Sequence, residues 1–117
     1  MAKIRIIKKN ADGIFDDSIR NIVTTLDSSN LPAYVTINVD GPKAVVDLSY
    51  TGSTESTIEK KLSSGINVSI GSRSGRIVKI GGYDVFSHIG EILTIHPNSE
   101  RAKNNIVKGV DLIRKLR

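Results

Sequence analysis

Residues 34–50 read YVTINVDGPKAVVDLSY, and this stretch decides the fold class. Apolar and polar side chains alternate on both sides of Asp40-Gly41. Alternation with period two is typical of a strand with one buried face, and an Asp-Gly pair between two such runs is typical of a tight turn. The sequence therefore predicts a β-hairpin that belongs to an antiparallel sheet.

More strands are predicted on both sides of this hairpin. Near the start of the chain, Ile4 and Ile6 alternate with Lys3 and Arg5. After the hairpin, three runs rich in β-branched side chains cover residues 66–70, 76–80 and 91–96. Such runs favour strands, so the sequence predicts a sheet of about five or six strands.

Three helices are predicted from the spacing of apolar residues. The first begins at Asp16, Asp17 or Ser18 and places Ile19, Ile22, Val23 and Leu26 on one face. A short second helix turns Ile58 and Leu62 inward and ends at Gly65. The third begins at Asn98 or Ser99 and buries Ala102, Ile106, Val110, Ile113 and Leu116. Gly109 within the third helix predicts close packing, since glycine disfavours a helix interior.

The predicted fold is one α+β domain over residues 1–117, with the order strand, helix, two strands, helix, three strands, helix. The first six elements resemble the ferredoxin-like arrangement in their order. From the first helix onward, the order is similar to that of the profilin-like Roadblock and longin families. The Roadblock resemblance implies a homodimeric platform for protein–protein interaction, with a small GTPase as one class of partner.

Composition excludes several classes of protein. The 117 residues include no cysteine, which rules out disulfides, thiolate zinc sites and iron–sulfur clusters within the chain. No apolar run approaches the 18 or so residues of a membrane helix, and the N-terminus alternates charged with apolar residues. We therefore expect a cytoplasmic protein without a membrane span or a cofactor.

Charge is distributed unevenly along the chain. The net charge of +5 combines basic segments at residues 1–9, 60–97 and 98–117 with an acidic segment at residues 10–59. A polyanion is one partner that such asymmetry favours, and opposite charges that meet within the fold are the alternative.

Gly71-Ser72-Arg73-Ser74-Gly75-Arg76 is the most suggestive local motif. Its glycines permit backbone N–H groups to converge on an anion, and arginine is suited to phosphate. An ordinary polar hairpin turn is the alternative.

The resulting hypothesis is a non-catalytic, homo-oligomeric module that binds the backbone of DNA or RNA. It assigns phosphate contacts to Lys3, Arg5, Lys8, Lys9, Arg73, Arg76, Lys79, Arg101, Lys108, Arg114 and Lys115. A charged edge strand and a solvated helix face are the alternatives for the first and last of these groups. Aromatic residues are scarce, which disfavours binding of single strands by base stacking and favours recognition of the backbone or of shape. Tyr34 and then Tyr83 are the aromatic residues expected to be exposed.

Two other functions are weighed against nucleic-acid binding. A homodimeric interaction platform follows from the element order. A small hydrolase or metal enzyme would depend on Asp16, Asp17, His88 and His96. Two histidines eight residues apart match no common zinc spacing, so no catalytic or metal-binding residue is predicted.

Overall fold

The computed structural model describes residues 2–27, 30–52 and 55–116, and within these ranges seven strands form one mixed sheet. The strands are β1 (Ala2–Asn10), β2 (Gly13–Ile22), β3 (Tyr34–Asp40), β4 (Lys43–Ser49), β5 (Thr57–Lys61), β6 (Asn67–Gly71) and β7 (Ile77–Tyr83). Two 3₁₀ helices, Val85–Ser87 and Ile89–Thr94, precede the helix α1 (Glu100–Lys115). The predicted α+β class is confirmed.

The strand order across the sheet is β2-β1-β3-β4-β7-β6-β5. β1 and β3 pair in parallel, because β2 folds back on the outer side of β1 before the chain enters β3. The other neighbouring strands pair antiparallel, as expected for a mainly antiparallel sheet. β2 and β5 are therefore the two edges.

One face of the sheet is covered by α1 and the 3₁₀ helices. Alternate strand residues such as Ile6, Val35 and Ile80 are fully buried there and form one core with Ile106 and Ile113 of α1. Complete burial of such a side chain stabilises the fold by about 1.5–3 kcal/mol. We call this side the covered face and the other side the open face.

Most of the predicted strands are confirmed. The hairpin around Asp40-Gly41 is β3–β4, and residues 3–6, 66–70 and 76–80 lie in or next to β1, β6 and β7. The predicted third helix is α1, and its N-cap is Ser99, whose Oγ accepts a hydrogen bond from the Ala102 N–H at 3.1 Å.

The prediction of a helix over residues 16–26 is wrong, because β2 pairs with β1 from Gly13 to Ile22. The helical spacing of Ile19, Ile22 and Val23 is misleading: only Ile22 is buried, and Ile19 and Val23 are 71% and 64% exposed. β2 is an edge strand that turns Ser18 and Arg20 toward the covered face, so its apolar residues do not alternate in the usual way. Pairing with β1 overrides the local periodicity.

Two further predictions are also wrong. Ile58 belongs to β5 rather than to a helix, and Gly65 lies in the turn before β6 with φ 93°. Residues 91–96 do not form a strand, since the 3₁₀ helix Ile89–Thr94 covers most of them and buries Ile89 and Ile92. The observed order lacks both early helices, so the order on which the ferredoxin-like and Roadblock resemblances depend is not present.

No helix among the described residues has the length and apolar character that crossing a membrane requires.

The turn between β6 and β7 is attached to α1 through Gly75. Gly75 has φ +73°, and a Cβ atom built on it would lie 2.7 Å from the Cα of Ala102. The neighbouring Ser74 carbonyl accepts a hydrogen bond from Asn105 Nδ2 at 2.7 Å. The turn therefore approaches the helix backbone more closely than any residue with a side chain permits.

We expect Gly75→Ala to lower the free energy of unfolding by at least about 2 kcal/mol, since it adds a backbone clash to left-handed strain. Gly41→Ala is the matched control, because Gly41 also has positive φ but open space around its Cα. It should cost only about 1 kcal/mol. Urea denaturation measures both, and equal losses would contradict this account of Gly75.

Candidate nucleic-acid interface

The open face lies on the side of the sheet away from α1, so its side chains meet solvent. One row of paired residues crosses six strands on this face: Lys9, Asn38, Val45, Gly81, Asn67 and Lys61. At a spacing of about 4.8 Å between strands, the row is about 24 Å long. It has a lysine at each end and small or short side chains between them.

A shallow groove of about 590 Å³ lies over the β5 side of this row. Its floor includes Ser69, Gly81 and Gly82. Four lysines and one glutamate are among the described residues that line it: Lys43, Lys60, Lys61, Lys79 and Glu59. Lys60 pairs with the buried Val68, so its side chain projects toward the covered face, and the other three lysines lie on the open face. We call it the lysine groove. The groove has an excess of positive charge, and the small residues of its floor leave room for an extended anionic chain.

Two tyrosines are exposed on the open face, as predicted. Tyr83 is 63% exposed beside the groove, with Lys43 Nζ 5.5 Å from the centroid of its ring. Tyr34 is 44% exposed and lies opposite Arg5 of the neighbouring strand β1. The two tyrosines pair with Lys43 and Ser49, at opposite ends of β4, so they are well separated across the face.

Carboxylates reduce the positive charge at two positions of the open face, one near the β2 edge and one at the lysine groove. Arg5 donates from Nε and Nη2 to the two oxygens of Asp17, at 3.0 and 2.7 Å. This bidentate pair lowers the pKa of Asp17 and raises the pKa of Arg5, chiefly through the hydrogen bonds. Asp47 lies between Thr36 and Lys79 in the next row. Arg5 and Lys79 thus have acidic neighbours.

The other predicted phosphate contacts lie elsewhere. Lys3 is on the open face near the β2 edge, and Lys8 is on the covered face opposite Asp16. The remaining four lie on α1, on the far side of the sheet from the lysine groove: Arg101, Lys108, Arg114 and Lys115. The Nζ of Lys115 donates to the Val23 carbonyl and to Asp111. The fold therefore separates the predicted cations between two faces.

Arg76 and Arg73 lie at the end of the sheet. The Arg76 guanidinium is 4.6 Å from the centroid of the Tyr50 ring, a stacked cation–π contact. The Tyr50 hydroxyl donates to the Ile77 carbonyl at 2.7 Å, and burial raises its pKa. Arg73 is exposed in the turn between β6 and β7. Arg76 therefore packs against the ring of Tyr50, whereas the side chain of Arg73 extends into solvent.

The predicted anion-binding loop does hold an anion, but that anion is the carboxylate of Glu55. The backbone N–H groups of Arg73 and Ser74 both donate to Glu55 Oε1 at 2.9 Å. A Cβ atom at Gly71 would overlap the same oxygen, so a side chain there would displace the Glu55 carboxylate from its present position. An external phosphate at these two amides would have to displace Glu55.

Opposing effects set the pKa of Glu55. Burial alone would raise it, but hydrogen bonds from the Ser74 and Arg73 amides and from the Ser74 hydroxyl favour the charged form. The positive charge of Arg76 acts in the same direction. The pKa of Glu55 lies below its ordinary value as a result, so the charged carboxylate stabilises the folded state.

The residues considered for a metal enzyme do not converge. Asp16 and Asp17 project from opposite faces of β2, and Asp17 is paired with Arg5. His88 Nδ1 lies 3.3 Å from Glu91 Oε2, and Glu91 also accepts from the Ser63 hydroxyl at 2.7 Å. No group of three or more potential metal ligands occurs in the part of the chain that the structure describes.

Sequence reasoning misses Lys43, Lys60 and Lys61 as groove residues. The predicted second helix includes Lys60 and Lys61, and Lys43 follows the predicted turn at Asp40-Gly41. Lys60 and Lys61 are adjacent charged residues without apolar alternation around them, so the residues alone give little indication that β5 borders a groove.

Comparisons of the chain with models of protein families, with curated proteins and with solved structures find no match.

We expect Glu55→Gln to lower the free energy of unfolding by about 1 kcal/mol at neutral pH, because the amides of Arg73 and Ser74 lose a charged acceptor. Since folding lowers the pKa of Glu55, its contribution is present above the unfolded pKa and is lost as pH falls through the folded value. The difference between the two proteins should therefore shrink between roughly pH 6 and roughly pH 3. Urea denaturation across that range measures it.

Glu59→Gln is the matched control, because Glu59 is exposed on β5 and carries the same charge. The pKa of Glu91 is also lowered, chiefly by the Ser63 hydroxyl. Because Glu91 is present in the unchanged chain and in both variants, its pH-dependent contribution to the free energy of unfolding cancels in the comparison. A Glu55→Gln effect that is independent of pH would contradict a role for the carboxylate charge.

Proposed function

We propose that this chain is a non-catalytic module that binds the backbone of a nucleic acid on the open face of its sheet. The observation that carries the proposal is the lysine groove, in which three open-face lysines and one glutamate border a floor of small side chains. A phosphodiester chain is narrow, anionic and repetitive, which matches a long shallow groove with lysines along its sides.

Binding in this groove would neutralise phosphates and release their condensed counterions. Lys43, Lys61 and Lys79 on the open face, together with Lys9 at the β1 end of the row, can supply about four such contacts. At the rise of about 3.4 Å per nucleotide of a duplex strand, the row of about 24 Å corresponds to about seven nucleotides, and a more extended single strand spans it with fewer. Affinity should therefore depend strongly on salt, and the neighbouring Asp47 and Glu59 should keep it modest.

Tyr83 gives the groove one position for base stacking. Its ring is largely exposed, and Lys43 lies beside it. Stacking on an aromatic ring contributes about 1–3 kcal/mol for an unpaired base. A single strand can use both Tyr83 and the lysines, whereas the bases of a duplex are already stacked, so we propose that single strands bind more tightly.

The cations of α1 do not belong to this proposed surface. Arg101, Lys108 and Arg114 lie across the sheet from the groove, so one short oligonucleotide cannot contact both sets. We assign them to solvation of the helix face, and Arg114, in the last turn, also complements the helix dipole. The lack of cysteine accords with a reducing compartment, and we propose a cytoplasmic setting.

The second candidate function is a homodimeric interaction platform. One observation favours it: β2 is a ten-residue edge strand with exposed apolar side chains. The two functions are compatible, because β2 and the lysine groove lie at opposite sides of the sheet.

We expect Lys61→Ala/Lys79→Ala to weaken binding of a single-stranded oligonucleotide by about tenfold at low salt, since two of about four phosphate contacts are lost. The slope of log K against log salt should fall from about −3 to about −1.5. Fluorescence anisotropy with single-stranded DNA, single-stranded RNA and duplex DNA over a salt series measures both values.

Arg101→Ala/Lys103→Ala removes the same charge from exposed residues of α1 and serves as the matched control. It should change the affinity less than about twofold if the groove is the contact surface. Absence of binding at low salt and micromolar protein, or an equal loss in both double variants, would reject the proposal.

A further inference from the structure

The two edges of the sheet differ in their protection against pairing with another strand. β5 has five residues, and three of them are charged: Glu59, Lys60 and Lys61. Short length and lysines are common ways to prevent an edge from pairing. β2 has ten residues, and no described residue pairs with its outer side. β2 is therefore the edge that is open to another strand.

Exposed apolar side chains are concentrated on β2 and just after it. Ile14, Phe15, Ile19 and Val23 are between 52% and 71% exposed. Nine large hydrophobic residues are exposed among the described residues, so these four are nearly half of them. A long edge strand with such residues marks a site where another chain pairs.

We propose that this edge binds a second copy of the chain, with the two β2 strands antiparallel about a twofold axis. This proposal specifies the second candidate function and does not depend on the lysine groove. The β2 sequence complements itself in this orientation. When Ser18 of one copy lies opposite Ser18 of the other, Asp16 lies opposite Arg20, and Arg20 lies opposite Asp16. Both ion pairs follow from one register, as an isologous interface requires.

The register is consistent with the faces of the sheet. Asp16, Ser18 and Arg20 all lie on the covered face, where they pair with Lys8, Ile6 and Ile4 of β1. Cross-strand partners in an antiparallel pair lie on the same face, with Cβ atoms about 4.5–5.5 Å apart. Arg20 Nη1 donates to the Leu116 carbonyl at 3.0 Å, and a guanidinium has further N–H groups for a carboxylate.

On the open face, the same register brings the two Ile19 side chains near each other. Ile19 lies opposite Asp17 of the second copy and diagonal to its Ile19, which is within contact range for branched side chains. Asp17 stays paired with Arg5 of its own chain. The two sheets would become one continuous sheet with both lysine grooves on the same side, at its two outer ends.

The first test measures mass by light scattering after gel filtration over a range of concentrations. The full chain should form a dimer as concentration rises. Ile19→Glu should shift the midpoint at least about tenfold upward, because each new carboxylate would lie opposite Asp17 of the other copy and diagonal to the other new carboxylate. Val107→Glu is the matched control, since Val107 is 49% exposed on α1, away from β2, and it should dimerise like the unchanged chain.

The second test uses charge reversal to fix the register. Asp16→Arg alone and Arg20→Asp alone each place like charges opposite one another, so each variant should remain monomeric. An equimolar mixture should form heterodimers, because positions 16 and 20 are then both positive in one chain and both negative in the other. Circular dichroism melts show whether each variant is folded, and mixing cannot rescue a chain that is unfolded.

Three outcomes would overturn the proposal. The first is a monomer at all concentrations, the second is a dimer that Ile19→Glu leaves unchanged, and the third is two folded charge variants that do not associate on mixing. None of these outcomes bears on oligonucleotide binding, which is measured with different variants.

Discussion

The close approach of α1 to β7 is the contact on which the rest of the structure depends. A Cβ atom on Gly109 would lie 3.0 Å from Ile77 Cδ1, so the absence of a side chain sets how near the helix can lie to the sheet. Val110 and Ile113 then reach the buried strand residues and join a single core. With one α-helix among the described residues, this packing covers one face of the sheet and leaves the other in water.

This one-sided core explains which parts of the fold could be predicted. In β3 and β4, one face is buried and the other is exposed, so apolar and polar residues alternate visibly around Asp40-Gly41. β2 and β5 are edges with little buried surface, and their apolar residues are largely exposed. The spacing of apolar residues indicates which side chains are buried, and it does not indicate which strands pair. It therefore fails to predict an edge strand, whose conformation depends on pairing with a neighbouring strand.

The anion-binding loop shows a different limit of sequence reasoning. The residues 71–76 correctly indicate a backbone that can surround an anion. Nothing in the motif itself reveals that Glu55, sixteen residues earlier than Gly71, supplies that anion, because the contact depends on β5 pairing with β6. A loop suited to phosphate is equally suited to a carboxylate of its own chain, and the fold decides between them.

The uneven charge of the sequence is resolved in the same way. The acidic segment at residues 10–59 lies beside the basic ends, with Asp17 on Arg5 and Asp47 next to Lys79. Much of the apparent asymmetry is therefore cancelled within the sheet, which was one of the two alternatives that the sequence left open. Cancellation is incomplete at the lysine groove, because its lysines outnumber the two carboxylates there, Glu59 in the lining and Asp47 beside Lys79. The positive charge that remains there follows from the strand order. Because β7 pairs with both β4 and β6, Lys43 on β4 and Lys61 on β5 lie on opposite sides of Gly81 in β7.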